Sequence, residues 1–164
     1  MAKTAIVTGG GQGLGRFMAL EAARRGTQLV IADVNPDTAN AVAAEIIAEN
    51  GQGSAIGVRL DVRDADQCAE AVAAAVTAFG GCDVLVNNAG IGVSSIRIDA
   101  DVNPPTLEEV TPEVLQSILN VNLFGPYNMM RATVPAMKQR SWGRVINITT
   151  SFMTMLRAFP YGSI

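Results

Sequence analysis

The sequence predicts an α/β fold, a parallel sheet with helices wound over both of its faces. Three observations carry that prediction. Short apolar runs alternate with longer segments of helical spacing along the 164 residues, the pattern of repeated strand-helix-strand units. The run at 83–88 is almost wholly apolar, as a strand buried on both faces has to be. A glycine-rich turn, Thr8-Gly9-Gly10-Gly11-Gln12-Gly13-Leu14-Gly15, joins the first strand to the first helix.

Residues 4–8 form the first strand, and 13–25 have helical spacing with Gly26 as the stop. A second strand covers 28–33. Asn35 is the N-cap and Pro36 the first helical residue of an alanine-rich helix to about Asn50. The third strand covers 54–60. Asp64, with Gln67 three residues on, forms a capping box for a helix ending near Phe79. After the fourth strand at 83–88 comes a long connection, 90–111, of a length that points to a functional or partly structured loop. Thr111-Pro112 starts a helix that continues towards Arg140, and 144–150 is the fifth strand. Right-handed crossovers place the strands in the order 3-2-1-4-5.

Composition excludes several classes. Hydrophobic residues at 49% and charged ones at 16% exclude disorder. The length fits one domain, 1–164, burying roughly 70% of its unfolded surface. A net charge of −3 argues against nucleic acid, because no basic stripe exists to displace counterions. The absence of histidine removes Ser-His-Asp hydrolases, Cys-His proteases and His-ligated zinc, and no metal site is expected. Cys68 and Cys82 have no metal-ligand spacing and are expected as free thiols. No apolar run approaches the roughly 20 residues of a membrane span, and Met1-Ala2-Lys3 leaves no room for a signal peptide. A cytoplasmic protein is expected.

The glycine turn has a physical purpose. A backbone that approaches a pyrophosphate closely, with N–H groups of a helix N-terminus facing it, has no room for side chains. Asp33 ends the second strand, where a carboxylate can accept a hydrogen bond from an adenosine ribose 2′-hydroxyl and repel a 2′-phosphate. Asn87 and Asn88 end an apolar strand, and buried amides need partners, so both are expected to form a site. Pro126 lacks an N–H, which leaves the Asn122 carbonyl without its intrahelical donor and predicts a kink. Asn120 competes with Asn122, although Pro126 has no bearing on its carbonyl.

The turn at 8–15, the Asn87-Asn88-Ala89-Gly90 segment and Tyr161 together resemble the short-chain dehydrogenase/reductase family, over the whole chain. The resemblance implies a Rossmann sheet and an NAD(P)-dependent oxidoreductase moving hydride between NAD and an alcohol or ketone. It assigns Gly9, Gln12, Gly13, Leu14 and Gly15 to the cofactor's pyrophosphate and Asp33 to its ribose. Asp61 and Val62 go to the adenine, and Asn88, Ala89 and Gly90 to the nicotinamide side. Gln12 is uncharged where NADP-preferring relatives are often basic, so NAD is expected over NADP.

By the same resemblance Tyr161 is the acid or base acting on the substrate oxygen, and Asn122 holds a water of the proton relay. The substrate-positioning hydroxyl falls on Thr150 by counting from Asn147, or on Ser151, the serine beside it. Arg97, Asp99 and Asp101 in the long loop receive no assignment. The lysine of the family's Tyr-x-x-x-Lys pair would stand at 165. The expectation is therefore the front part of an oxidoreductase, inactive as it stands, whose sheet is incomplete at the C-terminus and lacks the substrate-covering region. The full-length protein is expected as a homo-tetramer or dimer. The alternative is a non-catalytic NAD-binding protein or an inactive fragment.

Overall fold

A computed structural model describes residues 2–92, 97, 99, 102–103 and 105–149. Five parallel strands form one sheet: β1 (Thr4–Thr8), β2 (Gln28–Asp33), β3 (Ala55–Arg59), β4 (Val84–Asn87) and β5 (Arg144–Asn147). Their order is β3-β2-β1-β4-β5, as the sequence predicts. The later strands are shorter than expected because their ends leave the ladder gradually. Leu60 N–H still donates to Asp33 O at 2.8 Å, and Ile148 N–H to Asn87 O at 2.9 Å.

The two faces of the sheet bury separate clusters, which is the double winding inferred from the apolar strands. Ala5 and Val7 of β1 and Leu29 and Ile31 of β2 pack against helices α1 (Gly13–Arg24) and α2 (Pro36–Asn50). The alternate residues, Ile6, Val30 and Ala32, pack with helices α3 (Ala65–Phe79) and α5 (Gly125–Gln139) through Cys68, Ala71, Met129 and Met137. Side chains along a strand point to opposite faces, so both sets must be apolar when both faces are covered.

Local signals explain most boundaries. The Asn35 side chain accepts from Asp37 N–H at 2.9 Å, with Pro36 opening α2. Asp64 caps α3 by accepting from Asp66 and Gln67 N–H. The reciprocal half of the expected capping box is replaced. Gln67 Oε1 accepts from Asp61 N–H at 3.0 Å, while Asp64 N–H turns back to Asp61 O.

The single helix expected from 111 towards 140 is two helices, α4 (Pro112–Leu119) and α5, joined by a π turn, Asn120–Phe124. Gly125 N–H donates to Asn120 O. A wider turn just ahead of Pro126 shifts the bonding register where that residue has no N–H to give, so the strain expected as a kink becomes a bulge. The long loop is partly structured, with a 3-10 turn at Leu107–Glu109.

Candidate functional site

A cleft of about 410 Å³ opens at the carboxyl ends of β1 to β4. Gly9, Gln12, Asp33, Asp61, Val62, Asn88, Ala89 and Gly90 line it together, joined by Val34, Leu60, Arg63, Ile91 and Val121. The strand order reverses between β1 and β4, and open α/β sheets form their ligand crevice at such a switch point. Gly13, Leu14 and Gly15 do not line the cleft. Leu14 is exposed, while Gly15 is buried beneath the turn. The expectations for Thr150, Ser151, Tyr161 and Asp101 fall outside the described residues.

The turn from β1 to α1 is packed on its inner side and open on its outer side. A Cβ on Gly15 would lie 2.6 Å from Asn88 Nδ2 and closer still to the Gly9 carbonyl oxygen. Asn88 Nδ2 donates to Thr8 O at 3.0 Å and to Gly9 O at 3.1 Å, so this amide fastens the end of β4 to the turn. Its neighbour Asn87 donates to Asn147 Oδ1 at 2.8 Å, bridging β4 to β5. Outside, Gln12 caps α1 without any side-chain hydrogen bond, and the first turn carries no acidic residue. Among the described residues, nothing beyond its chain neighbours and the helix's own backbone lies within 4 Å of a Cβ placed on Gly13.

Thr8 was visible in the sequence only as the start of the motif, yet its hydroxyl is central. Its oxygen accepts from Asn88 N–H and Ala89 N–H, both at 3.0 Å, and it donates to Val86 O. Thr8→Val keeps the shape and removes the acceptor. It is expected to cost about 2 kcal/mol, the penalty of leaving such donors unpaired, as a lowered denaturant midpoint. An unchanged midpoint would show that the hydroxyl is dispensable.

Asp33 is buried, and its carboxylate is already engaged. Oδ2 accepts from Gly11 N–H at 2.9 Å and Oδ1 from Asn35 N–H at 3.1 Å. One side chain therefore ties the glycine turn to the loop ahead of α2 while facing the cleft. An ionised carboxylate has about four acceptor positions, so capacity remains for a ligand hydroxyl.

Asp61 is held by Arg63, which sequence reasoning did not single out. The guanidinium donates from Nε at 2.9 Å and from Nη2 at 2.6 Å, and the Arg63 backbone N–H adds a bond at 3.0 Å. The Arg63 side chain, beside the carboxyl, holds the Asp61 pKa below the ordinary carboxylate range. Val62 is buried, and its carbonyl accepts from Asn128 Nδ2 at 3.0 Å. Gly125 lets α5 approach, because a Cβ there would lie 2.6 Å from the Val62 side chain.

The Asn122 side chain clasps Ile91, accepting from its N–H at 2.9 Å and donating to its carbonyl at 2.8 Å. The sequence pointed to the Asn122 backbone carbonyl; the contact that the structure records is made by the amide. Asn120 faces elsewhere, its Oδ1 accepting from Gln116. Arg97, unassigned from sequence, pairs with Glu109. Cys68 and Cys82 are free and buried, and burial pushes both thiols up to about 11. Among the described residues, no three acidic or cysteine side chains group as metal ligands, and no helix is long and apolar enough to cross a membrane.

A sequence model of the family described as short chain dehydrogenase matches residues 3–163. The chain is 37% identical over 148 residues to the 2,5-dichloro-2,5-cyclohexadiene-1,4-diol dehydrogenase LinX of Sphingobium indicum, covering 90% of this chain and 54% of that protein. It thus spans about half the length of the curated relatives it matches. Among solved structures, a 3-ketoacyl-(acyl-carrier-protein) reductase from Brucella melitensis complexed with NADH is 38% identical with a TM-score of 0.73, covering 84% of this chain and 51% of that one. A metagenomic short-chain oxidoreductase in complex with NADP is 31% identical with a TM-score of 0.77, covering 92% and 62%.

Proposed function

This chain belongs to the short chain dehydrogenase family, and from that premise we propose that the full-length protein is an oxidoreductase using NAD on an alcohol or ketone. The carrying observation is the glycine turn, fastened from within and leaving the α1 N-terminus uncapped on its outer side. Unpaired N–H groups at a helix N-terminus fit a pyrophosphate. The nicotinamide supplies the hydride acceptor or donor when bound.

The chain's own residues then have separate tasks. Gly9 and Gln12, which line the cleft, bring backbone N–H groups to the pyrophosphate with Gly13 and Leu14 at the open start of α1, and Gly15 serves from beneath by letting the turn pack on Asn88. Asp33 accepts from the ribose 2′-hydroxyl, and Asp61 with Val62 meets the adenine. Asn88, Ala89 and Gly90 border the nicotinamide ribose. Asn122 fixes Ile91 at the edge of the cleft and lies next to Val121, which lines it. Tyr161 exchanges a proton with the substrate oxygen, and Ser151 or Thr150 orients that oxygen by hydrogen bonding. The ordinary tyrosine pKa near 10 requires a neighbouring positive charge to favour the phenolate at neutral pH.

The solved relatives carry NADH in one case and NADP in the other, so the preference rests on Asp33 and the uncharged Gln12. A 2′-phosphate beside a buried carboxylate is repelled, and kcat/KM is expected to favour NAD by about tenfold or more. Steady-state kinetics of the full-length protein with both cofactors tests this, and equal efficiencies would refute it. The relatives named above are a dehydrogenase, a reductase and an oxidoreductase, so the non-catalytic alternative is not favoured. Exposed Leu123, Phe124 and Tyr127 at the α4–α5 junction support a homo-dimer or tetramer. Two free thiols support a reducing, cytoplasmic setting.

A further inference from the structure

The loop after β3 is braced more heavily than a connecting loop requires. Asp61 N–H is held by Gln67, and Asp64 N–H returns to Asp61 O at 3.0 Å. From the other side, Asn128 of α5 reaches the Val62 carbonyl at 3.0 Å and the Arg63 carbonyl at 3.4 Å. The backbone of 61–64 is thus fixed from both sides, and Asp61 and Arg63 are its charged side chains facing the cleft.

The pairing between those two side chains is unusual for a surface loop. Surface ion pairs two residues apart contribute little to stability as a rule. Here three N–H groups of Arg63, its backbone amide, Nε and Nη2, all converge on the one carboxylate. A carboxylate offers about four acceptor positions. Arg63 therefore uses most of them and fixes the plane of the group, leaving room for about one further donor. The Asp61 side chain is 21% exposed, whereas Arg63 is 52% exposed. The arginine is the outer member, bracing the inner carboxylate against the cleft.

We propose that Arg63 is a positioning residue that orients Asp61 as a one-place acceptor and so makes the cleft select a purine with an exocyclic amine over a 6-keto purine. This rests on the dinucleotide reading above and adds to it the group that sets base selectivity. An ionised carboxylate accepts only, so it pairs with an amine and opposes a carbonyl in the same place. Without the guanidinium only the Arg63 backbone N–H still holds one carboxylate oxygen. The group loses its fixed plane and gains water, and both bases are met by a more hydrated, adaptable acceptor.

The test compares NAD with nicotinamide hypoxanthine dinucleotide, which differs at the base, by titration calorimetry on the full-length protein. The unmodified protein is expected to bind NAD about tenfold more tightly than the hypoxanthine analogue. Arg63→Ala is expected to weaken NAD about fivefold and to leave the analogue nearly unchanged, bringing the ratio down to about twofold. Arg63→Lys keeps the charge and loses the planar fork, so it should recover only part of the ratio. A merely structural role would weaken both ligands equally; that result, or an unchanged ratio in Arg63→Ala, overturns the proposal. Failure of the unmodified protein to bind NAD at all overturns the dinucleotide reading itself, and this inference with it.

Discussion

Gly15→Ala is expected to weaken dinucleotide binding at least about a hundredfold and to destabilise the fold by about 4 kcal/mol. The added methyl group would stand 2.6 Å from Asn88 Nδ2 and 2.9 Å from the Gly9 carbonyl carbon. Neither neighbour can retreat. Gly9 is at a positive φ of 61° and itself abuts Ala89, and Asn88 is pinned to the carbonyls of Thr8 and Gly9. Forcing a methyl group into a packed site costs about 2 kcal/mol. Displacing the Asn88 amide forfeits about 1 kcal/mol for each of its bonds.

The binding loss follows from the same displacement. The N–H groups proposed to meet the pyrophosphate sit on the turn that has to move, and a fall of at least about a hundredfold in NAD affinity is expected from losing such aligned donors. Denaturant unfolding with calorimetric titration measures both effects. Gly26→Ala serves as the reference, because among the described residues nothing beyond its chain neighbours lies within 4 Å of a Cβ there, and its φ of 82° costs about 1–2 kcal/mol. A Gly15→Ala protein no less stable than that reference would contradict the packing described here.

Much of this arrangement was legible in the sequence because its determinants are local. The strand runs, the glycine turn, the Asn35 and Asp64 caps and the sheet order all depend on residues near one another or on general crossover rules. The contacts that were not legible join distant positions. Thr8 reaches Asn88 and Ala89, about eighty residues on, and Asn128 reaches back to Val62. Neither residue type announces such a partner.

Local ambiguity hid the rest. Pro126 dictates that a hydrogen bond is missing, but a kink and a π turn both satisfy that condition, and packing of Gly125 on Val62 accompanies the second. Gln67 fits a capping box by spacing, yet the half-buried backbone amide of Asp61 competes for its side chain and takes it. Arg63 looks like an ordinary loop cation until its three donors are seen on one carboxylate.

Asp33→Ala is expected to weaken NAD about a hundredfold without producing a useful NADP enzyme. Charge alone suggests a simple exchange of preference, since removing a carboxylate relieves repulsion of a 2′-phosphate. The structure gives Asp33 a second duty that charge reasoning omits. Its two oxygens hold the Gly11 and Asn35 amides, the first in a bond buried from solvent. Losing the acceptor leaves those donors unpaired at a cost of about 3 kcal/mol, and it frees the turn that presents the pyrophosphate-binding amides. NADP gains from the missing charge and loses from the loosened turn, so its affinity is expected to change by less than about threefold. Asp33→Asn separates the two duties: it removes the charge and retains one acceptor oxygen, and should recover about 1 kcal/mol of the stability lost in the alanine variant. Unfolding midpoints and affinities for both cofactors decide the matter. An alanine variant with an unchanged midpoint and cleanly reversed preference would mean that Asp33 acts through its charge alone.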